Sequence, residues 1–321
     1  MRYVEAQGAR LSAIGLGTWQ FGSREWNYGS DYNEHQSVEI VHRAIELGIN
    51  LIDTAEIYGF GRSERIVGGA IAGRRADVFV ATKVFPLAPI APVVEQRGRA
   101  SSRRLGIEPI DLYQVHWPNP VVPIGTTMEG IRRLQQAGVV THAGVSNFDL
   151  AKWKAAEAAL GSTVLTNQVQ YSLVQRKPER DLVPWAQQTG HVVIAYSPLA
   201  QGFLGAKYDS SNRPGGVRAT NPLFLPENLD RAKGLFAALR EIAATHGATP
   251  AQVALAWLIR KPNVVAIPGA SSVSQLESNA AAADIELTEE ENARLTAASD
   301  AFHPTVGAAA FPKLLRSRLG R

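Results

Sequence analysis

Short apolar runs alternate with amphipathic stretches along almost the whole chain. Eight runs read as strands: Ile14–Thr18, Asn50–Thr54, Val78–Lys83, Asp111–His116, Val139–Val145, Leu165–Gln170, Val192–Ser197 and Val264–Pro268. Apolar positions recur at helical spacing over Gln36–Leu47, Ser63–Ile71, Val93–Leu105, Met128–Ala137, Leu150–Leu160, Arg180–Gln188, Pro250–Ile259 and Val273–Ala282. Strands alternating with helices form parallel βαβ units, and eight such units close into a barrel. Gly48, Gly73, Gly106, Gly138, Gly161 and Gly190 follow helical stretches, as a left-handed C-cap requires. Val4–Leu11, broken by Gly8, reads as a small hairpin ahead of the main fold. The expected architecture is therefore α/β: a single (β/α)8 TIM barrel domain over residues 1–321, with an N-terminal hairpin, one extra helix after strand 7 and a C-terminal extension.

Two segments break the rhythm. Gln201–Leu229 is rich in Gly, Pro and Asn and precedes the extra helical stretch Asp230–His246. Uninterrupted loops of that length are usually functional or disordered. Residues 301–321 run past the last helix, and Phe302, Phe311, Leu314 and Leu315 suggest that they dock on the barrel.

Composition narrows the chemistry. A length of 321 residues suggests two domains by division, but a single α/β barrel reaches this size. The absence of cysteine excludes disulfides, thiolate metal sites and thiol nucleophiles, and leaves the redox compartment undetermined. Glu5 interrupts any apolar signal core, and no apolar run reaches the roughly 18 residues of a membrane span. A cytoplasmic location is the default. The net charge of +4 is spread thinly, with Arg316, Arg318 and Arg321 as a short basic tail. Nothing in that pattern points to nucleic acid or membrane partners, and the oligomeric state is left open.

The ends of the strands carry the candidate chemistry. They read Ile52-Asp53-Thr54-Ala55-Glu56-Ile57-Tyr58-Gly59, Ala81-Thr82-Lys83, Gln114-Val115-His116-Trp117-Pro118 and Gly144-Val145-Ser146-Asn147-Phe148. Side chains at the carboxyl ends of parallel strands converge on one mouth, so Asp53, Tyr58, Lys83 and His116 can share a pocket. A lysine beside a tyrosine favours the phenolate and lowers its pKa. An aspartate paired with that lysine keeps it charged, and an imidazole can steer a carbonyl oxygen. Singly, each residue has an ordinary reading: Asp53 as an N-cap, Tyr58 as a loop tyrosine, His116 as a satisfied barrel histidine. Lys83 is harder to dismiss, since a buried lysine needs a partner or a shifted pKa. All four together, each at or just beyond a strand end, make a proton donor for a developing alkoxide. A metal site at Asp53 and His116 lacks a second histidine at ligand spacing, because His142 and His191 fall in or at the start of strands. Ile14-Gly15-Leu16-Gly17-Thr18 opens no helix, so it is not a dinucleotide fingerprint of the Rossmann type.

In these residues the sequence resembles the aldo-keto reductase family, whose tetrad is Asp, Tyr, Lys and His in this order. The resemblance runs from Gly17-Thr18-Trp19 to Ser271–Asn279. It implies an oxidoreductase that reduces aldehydes or ketones with NADPH, NADH being less favoured, and with Tyr58 as the acid. Asp53 then holds Lys83, and His116 orients the carbonyl oxygen. Trp19, Phe85 and Trp117 form an apolar wall for a small-molecule carbonyl substrate. The resemblance further implies Gly17, Thr18, Trp19 and Asp53 near the cofactor, and Ser146, Asn147 and Gln168 on the nicotinamide carboxamide. Tyr196 would lie under the ring, with Ser197, Pro198, Leu199 and Gly202 cradling the pyrophosphate. Gly269, Ser271, Gln275 and Asn279 mark the adenosine end. There the arginine found in many bacterial members is absent, and the spelling is similar to the potassium-channel β-subunit branch. From related members, the resemblance implies Lys207 and Arg218 as the cations for a 2′-phosphate. Two alternatives follow: a nucleotide-sensing regulatory subunit with little turnover, and a Schiff-base aldolase using Lys83.

Overall fold

The fold is seen in a computed structural model that describes residues 1–23, 28–29 and 32–310. Phe311, Leu314, Leu315, Arg316, Arg318 and Arg321, and part of the loop after Trp19, lie outside the described residues.

The chain opens with the expected hairpin. Strand β1 (Tyr3–Ala6) pairs antiparallel with β2 (Ala9–Ser12). Gln7 and Gly8 between them both take positive φ, 49° and 80°, the geometry that a two-residue hairpin turn demands. Val4, Ala9 and Leu11 pack in one cluster with Leu51, Phe79, Leu112, Leu165, Val192 and Val265 from the barrel strands. The hairpin thus caps one end of the barrel.

Eight parallel strands follow in chain order, each paired with the next: β3 (Leu16–Gly17), β4 (Leu51–Asp53), β5 (Phe79–Val84), β6 (Ile110–Val115), β7 (Val140–Ser146), β8 (Val164–Gln170), β9 (Val192–Tyr196) and β10 (Val264–Ala266). The first and last strands meet through parallel bridges, Ile14 with Ala266 and Gly17 with Gly269. Gly15 N donates to Ala266 O and Ala266 N to Ala13 O, both at 2.8 Å, so the sheet closes on itself. Glycine is required at that seam: a Cβ on Gly17 would lie 2.8 Å from Ile267 O, and one on Gly15 2.9 Å from Leu51 Cγ. The seam also shortens two expected strands. Ile14–Thr18 keeps only Leu16–Gly17 in regular pairing, and Val264–Pro268 stops at Ala266, before a proline that has no N–H to donate.

Helices α1 (Glu34–Glu46), α2 (Arg62–Ala70), α3 (Ala91–Leu105), α4 (Ile124–Gln136), α5 (Leu150–Leu160) and α6 (Leu182–Thr189) connect the strands up to β9. The six glycines expected at helix ends all have positive φ, between 66° and 79°. After β9 the long segment is not a plain loop. Three 3-10 turns (Ala200–Gly205, Gly216–Thr220, Pro222–Phe224) lead into α7 (Pro226–Arg231) and α8 (Lys233–Thr245). The single stretch expected over Asp230–His246 is thus two helices divided at Ala232. Helices α9 (Pro250–Ile259) and α10 (Val273–Ala281) flank β10. A final helix, α11 (Glu289–Asp300), was not expected from the apolar pattern, because only Leu295 and Ser299 of it are buried. Its signal is local: Thr288 and Glu291 form a capping box. Beyond it, Phe302 is buried 5.6 Å from the Phe203 ring. The Asn228 side chain donates to Pro222 O and Thr305 O and accepts from Thr305 N. The start of the C-terminal extension is thereby fastened to the segment after β9. Among the described residues no helix is long and apolar enough to cross a membrane.

Helices α2 and α3 pack so closely that a Cβ on Gly68 would collide with the Leu105 carbonyl. Backbone cannot swing aside as a flexible side chain can. Gly68→Ala should therefore lower stability by about 1–3 kcal/mol, read as a lower urea midpoint at unchanged slope. An unaltered midpoint would mean that the helices separate at no cost.

Candidate active site

Strands β4, β5 and β6 bring Asp53, Lys83 and His116 to one rim, because each is the last residue of its strand or lies within one residue of the end. Tyr58 arrives from the β4 loop by a sharp turn. Gly59, Phe60 and Gly61 are consecutively left-handed, with φ of 54°, 55° and 79°, and Phe60 bears that conformation without glycine's freedom. Three buried hydroxyls hold the turn's far end. Thr54 Oγ1 donates to Ser63 Oγ at 2.9 Å, and Ser63 Oγ donates to Thr18 O at 3.0 Å. Thr18 Oγ1 donates to Asp53 O at 2.8 Å.

The Lys83 ammonium is fully buried. Its Nζ donates to Asp53 Oδ1 and Oδ2 at 2.8 and 2.7 Å, to Thr54 O at 2.8 Å, and toward Tyr58 Oη at 3.4 Å. Gln168 Nε2 donates to the same carboxylate at 2.7 Å. Burial pushes the Asp53 carboxyl up, while Lys83 and Gln168 pull it down. Burial presses Lys83 the other way, but Asp53 and Tyr58 hold its pKa above the ordinary lysine range.

Tyr58 differs from the expectation drawn from sequence. Lys83 lowers its pKa, as anticipated, but burial raises it more, and the Asp53 charge adds to the rise. The phenol is therefore held protonated. Sequence reasoning saw the neighbouring cation but not the loss of water, which depends on the loops closing around the hydroxyl. The His116 ring stands edge-on to Tyr58 with centroids 5.9 Å apart. Burial, with Lys83 behind it, pushes its imidazole down to about 2, so it is neutral. His116 Nδ1 is buried and has no partner among the described residues. Trp117 stacks on His116 at 3.9 Å, and Phe85 stands edge-on to Trp117 at 5.9 Å. The Trp19 ring, with the residue 43% exposed, lies 6.4 Å from that of Tyr58.

The residues assigned to a nucleotide lie next to this mouth and beyond it. Asn147, with φ of 62°, donates from Nδ2 to His116 O and Ser146 Oγ and accepts from Tyr196 Oη at 2.9 Å. Ser146 Oγ donates to Gln168 O at 2.8 Å. Ser146, Asn147, Gln168 and Tyr196 thus form one hydrogen-bonded patch beside the tetrad. Ser197, Ala200, Gln201 and Gly202 all have positive φ, and Pro198 and Leu199 lie inside that strained turn. Lys207 and Arg218 are exposed farther along the same segment. At the far side Gly17 and Gly269 bridge, Asn279 Nδ2 donates to Gly269 O at 3.3 Å, and Gln275 Oε1 accepts from Ser271 N at 3.0 Å. Helix α10 is capped by Ser272, whose hydroxyl accepts from Gln275 N.

Several residues of this region were not singled out from sequence. Gln20 Nε2 donates to Gly17 O and Ala270 O, tying the first strand to the last unit. Glu64 is fully buried, accepting from Thr82 Oγ1 at 2.7 Å and from Arg104 Nε at 2.5 Å. Glu56 and Arg97 flank Phe85. The available signal was Glu56 inside the strand-end motif and Glu64 on an apolar helix face, yet only the structure shows that Glu64 is buried and Glu56 partly so. Among the described residues no group of three or more His, Cys, Asp or Glu side chains could hold a metal ion.

Comparison with known proteins agrees with this geometry. An oxidoreductase of Mycobacterium tuberculosis is 55% identical over 322 residues, covering 100% of both chains. Methylglyoxal reductase of Escherichia coli is 36% identical over 287 residues, 89% of this chain and 90% of its own. The crystal structure of an aldo-keto reductase from Klebsiella pneumoniae in complex with NADPH superposes with a TM-score of 0.75 at 35% identity, over 92% of this chain and 93% of that one. The family model described as aldo/keto reductase matches residues 13–300. That match runs from the seam where the barrel closes to the end of α11, and the chain belongs to the aldo/keto reductase family.

Proposed function

We propose that this protein reduces aldehydes or ketones to alcohols with NADPH as cofactor and Tyr58 as proton donor. The observation that carries the reading is Lys83 Nζ, buried between the Asp53 carboxylate and the Tyr58 hydroxyl. The site suits a nicotinamide nucleotide. A patch of amide and hydroxyl groups at Ser146, Asn147 and Gln168 lies beside the tetrad, and residues 197 and 200–202 take the left-handed φ found in concave turns that cradle anions. Tyr196 would underlie the ring, and Gly269, Ser271, Gln275 and Asn279 the adenosine end. When bound, the reduced nicotinamide supplies hydride to the carbonyl carbon.

The chain's own residues do the rest. The neutral imidazole of His116 orients the carbonyl oxygen, which gains negative charge as the reaction proceeds. Tyr58 gives that oxygen its proton. A phenol raised above its ordinary pKa of about 10 is a weaker acid in the ground state, but an alkoxide is a far stronger base. Lys83 then offsets the phenolate charge left behind, where water has been excluded. Asp53 keeps Lys83 charged and aimed. Trp19, Phe85 and Trp117 exclude water and accept an apolar substrate body. Oxidation of NADPH by a panel of aldehydes tests the reading, and no turnover with any of them would overturn it.

Cofactor preference rests on Lys207 and Arg218. A 2′-phosphate paired with a guanidinium gains a charge-assisted contact of about 1.5–3 kcal/mol. Arg218→Ala should therefore weaken NADPH binding about tenfold or more and leave NADH binding nearly unchanged. Equal losses for the two cofactors in a fluorescence titration would remove Arg218 from the phosphate site.

A further inference from the structure

The loop after β5 is held by two charged side chains that the tetrad does not use. Glu56 lies two residues before Tyr58, and its side chain is 11% exposed. Its Oε1 accepts from Phe85 N at 2.6 Å. Arg97, reaching over from α3, donates from Nη1 to Phe85 O at 2.6 Å and lies 3.5 Å from Glu56 Oε1. Both backbone polar groups of Phe85, in the peptides on either side of its Cα, are therefore engaged, one by each member of an ion pair. Burial pushes the Glu56 carboxyl up, while the Phe85 amide and Arg97 pull it down.

A buried carboxylate is expensive unless it is paired and hydrogen-bonded. The turn itself needs no such device, since Leu87 N already donates to Phe85 O at 2.9 Å. What the pair fixes is the position of the Phe85 ring, which stands edge-on to Trp117. Trp117 in turn stacks on His116. The same loop is tied to the loop after β6 and to α4: Asn119 Nδ2 donates to Pro86 O and Thr127 Oγ1 to Pro89 O, both at 2.9 Å. Residues 85–92 and 117–124 contain no charged side chain and six prolines, so this wall is apolar and its backbone has little freedom.

We propose that Glu56 and Arg97 are positioning residues that hold Phe85 against Trp117, and that the rigid wall so formed selects carbonyl compounds with a flat aromatic body over small aliphatic ones. This rests on the proposed carbonyl reduction at the tetrad.

The test uses the NADPH-saturated enzyme with 4-nitrobenzaldehyde and propanal as paired substrates. Arg97→Met should raise KM for the aromatic aldehyde about tenfold while kcat changes less than about threefold, because only binding of the ring is loosened. KM for propanal should stay within about twofold. Arg97→Lys, which keeps a donor and the charge, should recover most of the loss, and Glu56→Met, which removes the acceptor for Phe85 N, should behave like Arg97→Met. In a Phe85→Ala background, Arg97→Met should add nothing further, since residues acting through one contact are not additive. Equal rises in KM for both aldehydes, or additive losses in the double variant, would overturn the proposal. A joint fall of melting temperature and of kcat for both substrates would also overturn it, as that marks a purely structural role. Wild-type enzyme that turns over neither aldehyde would instead defeat the carbonyl-reduction reading itself, and this inference with it.

Discussion

Tyr58→Phe is expected to slow carbonyl reduction by about 10²–10⁴-fold, the range for removing a general acid, while NADPH binds as before. The substitution deletes one oxygen atom. The ring still stands edge-on to His116 and within reach of Trp19, so the pocket keeps its shape. Lys83 retains Asp53 and the Thr54 carbonyl as partners, so no buried charge is stranded. The loss is confined to the proton that the developing alkoxide needs. Single-turnover reduction, measured beside a cofactor fluorescence titration, separates chemistry from binding. A variant retaining more than about a tenth of wild-type turnover would have another acid, since a positioned donor contributes more than that.

Lys83→Met should be costly in both activity and stability. Met matches the lysine stem but leaves Asp53 buried against Gln168 without a counter-charge. Breaking a buried pair in this way costs about 3–5 kcal/mol. Burial already raises the Asp53 carboxyl, and Lys83 opposes that rise, so the variant raises it further. A carboxyl whose folded-state pKa exceeds its unfolded one stabilises the fold while protonated, and that stability is lost as pH rises through the folded value. The stability gap between variant and wild type should therefore narrow as the pH falls from neutral toward about 4, the ordinary carboxylate range. A gap constant across that window would mean that Asp53 does not protonate. The residual reduction rate should also extend to higher pH, because the phenol has lost the charge that lowers its pKa. An unshifted profile at high activity would reduce Lys83 to a structural role.

Legibility differed between elements for identifiable reasons. Helices α5 and α9 begin and end where the pattern places them, because an apolar face, a capping residue and a terminal glycine or proline agree. Helix α11 escaped the pattern because it buries little and is announced only by its cap. The extra stretch divides at Ala232 because α7 turns to let Asn228 meet Thr305, a pairing across 77 residues that no local window contains. Strands β3 and β10 are shorter than their apolar runs because each must meet the other at the seam.

By itself the sequence determined the order of strands and helices, the glycine-capped turns, and the placement of Asp53, Tyr58, Lys83 and His116 near strand ends. These follow from local periodicity and from the rule that consecutive βα units wind in one direction. The tertiary structure decided how far Tyr58 is desolvated, that the His116 imidazole is neutral, and that Glu56 and Arg97 grip the backbone of a single residue of the pocket wall. The physical reason is common to all three. Water exclusion, and the charge pairing it makes necessary, depend on loops far apart in the chain that meet only when the barrel closes.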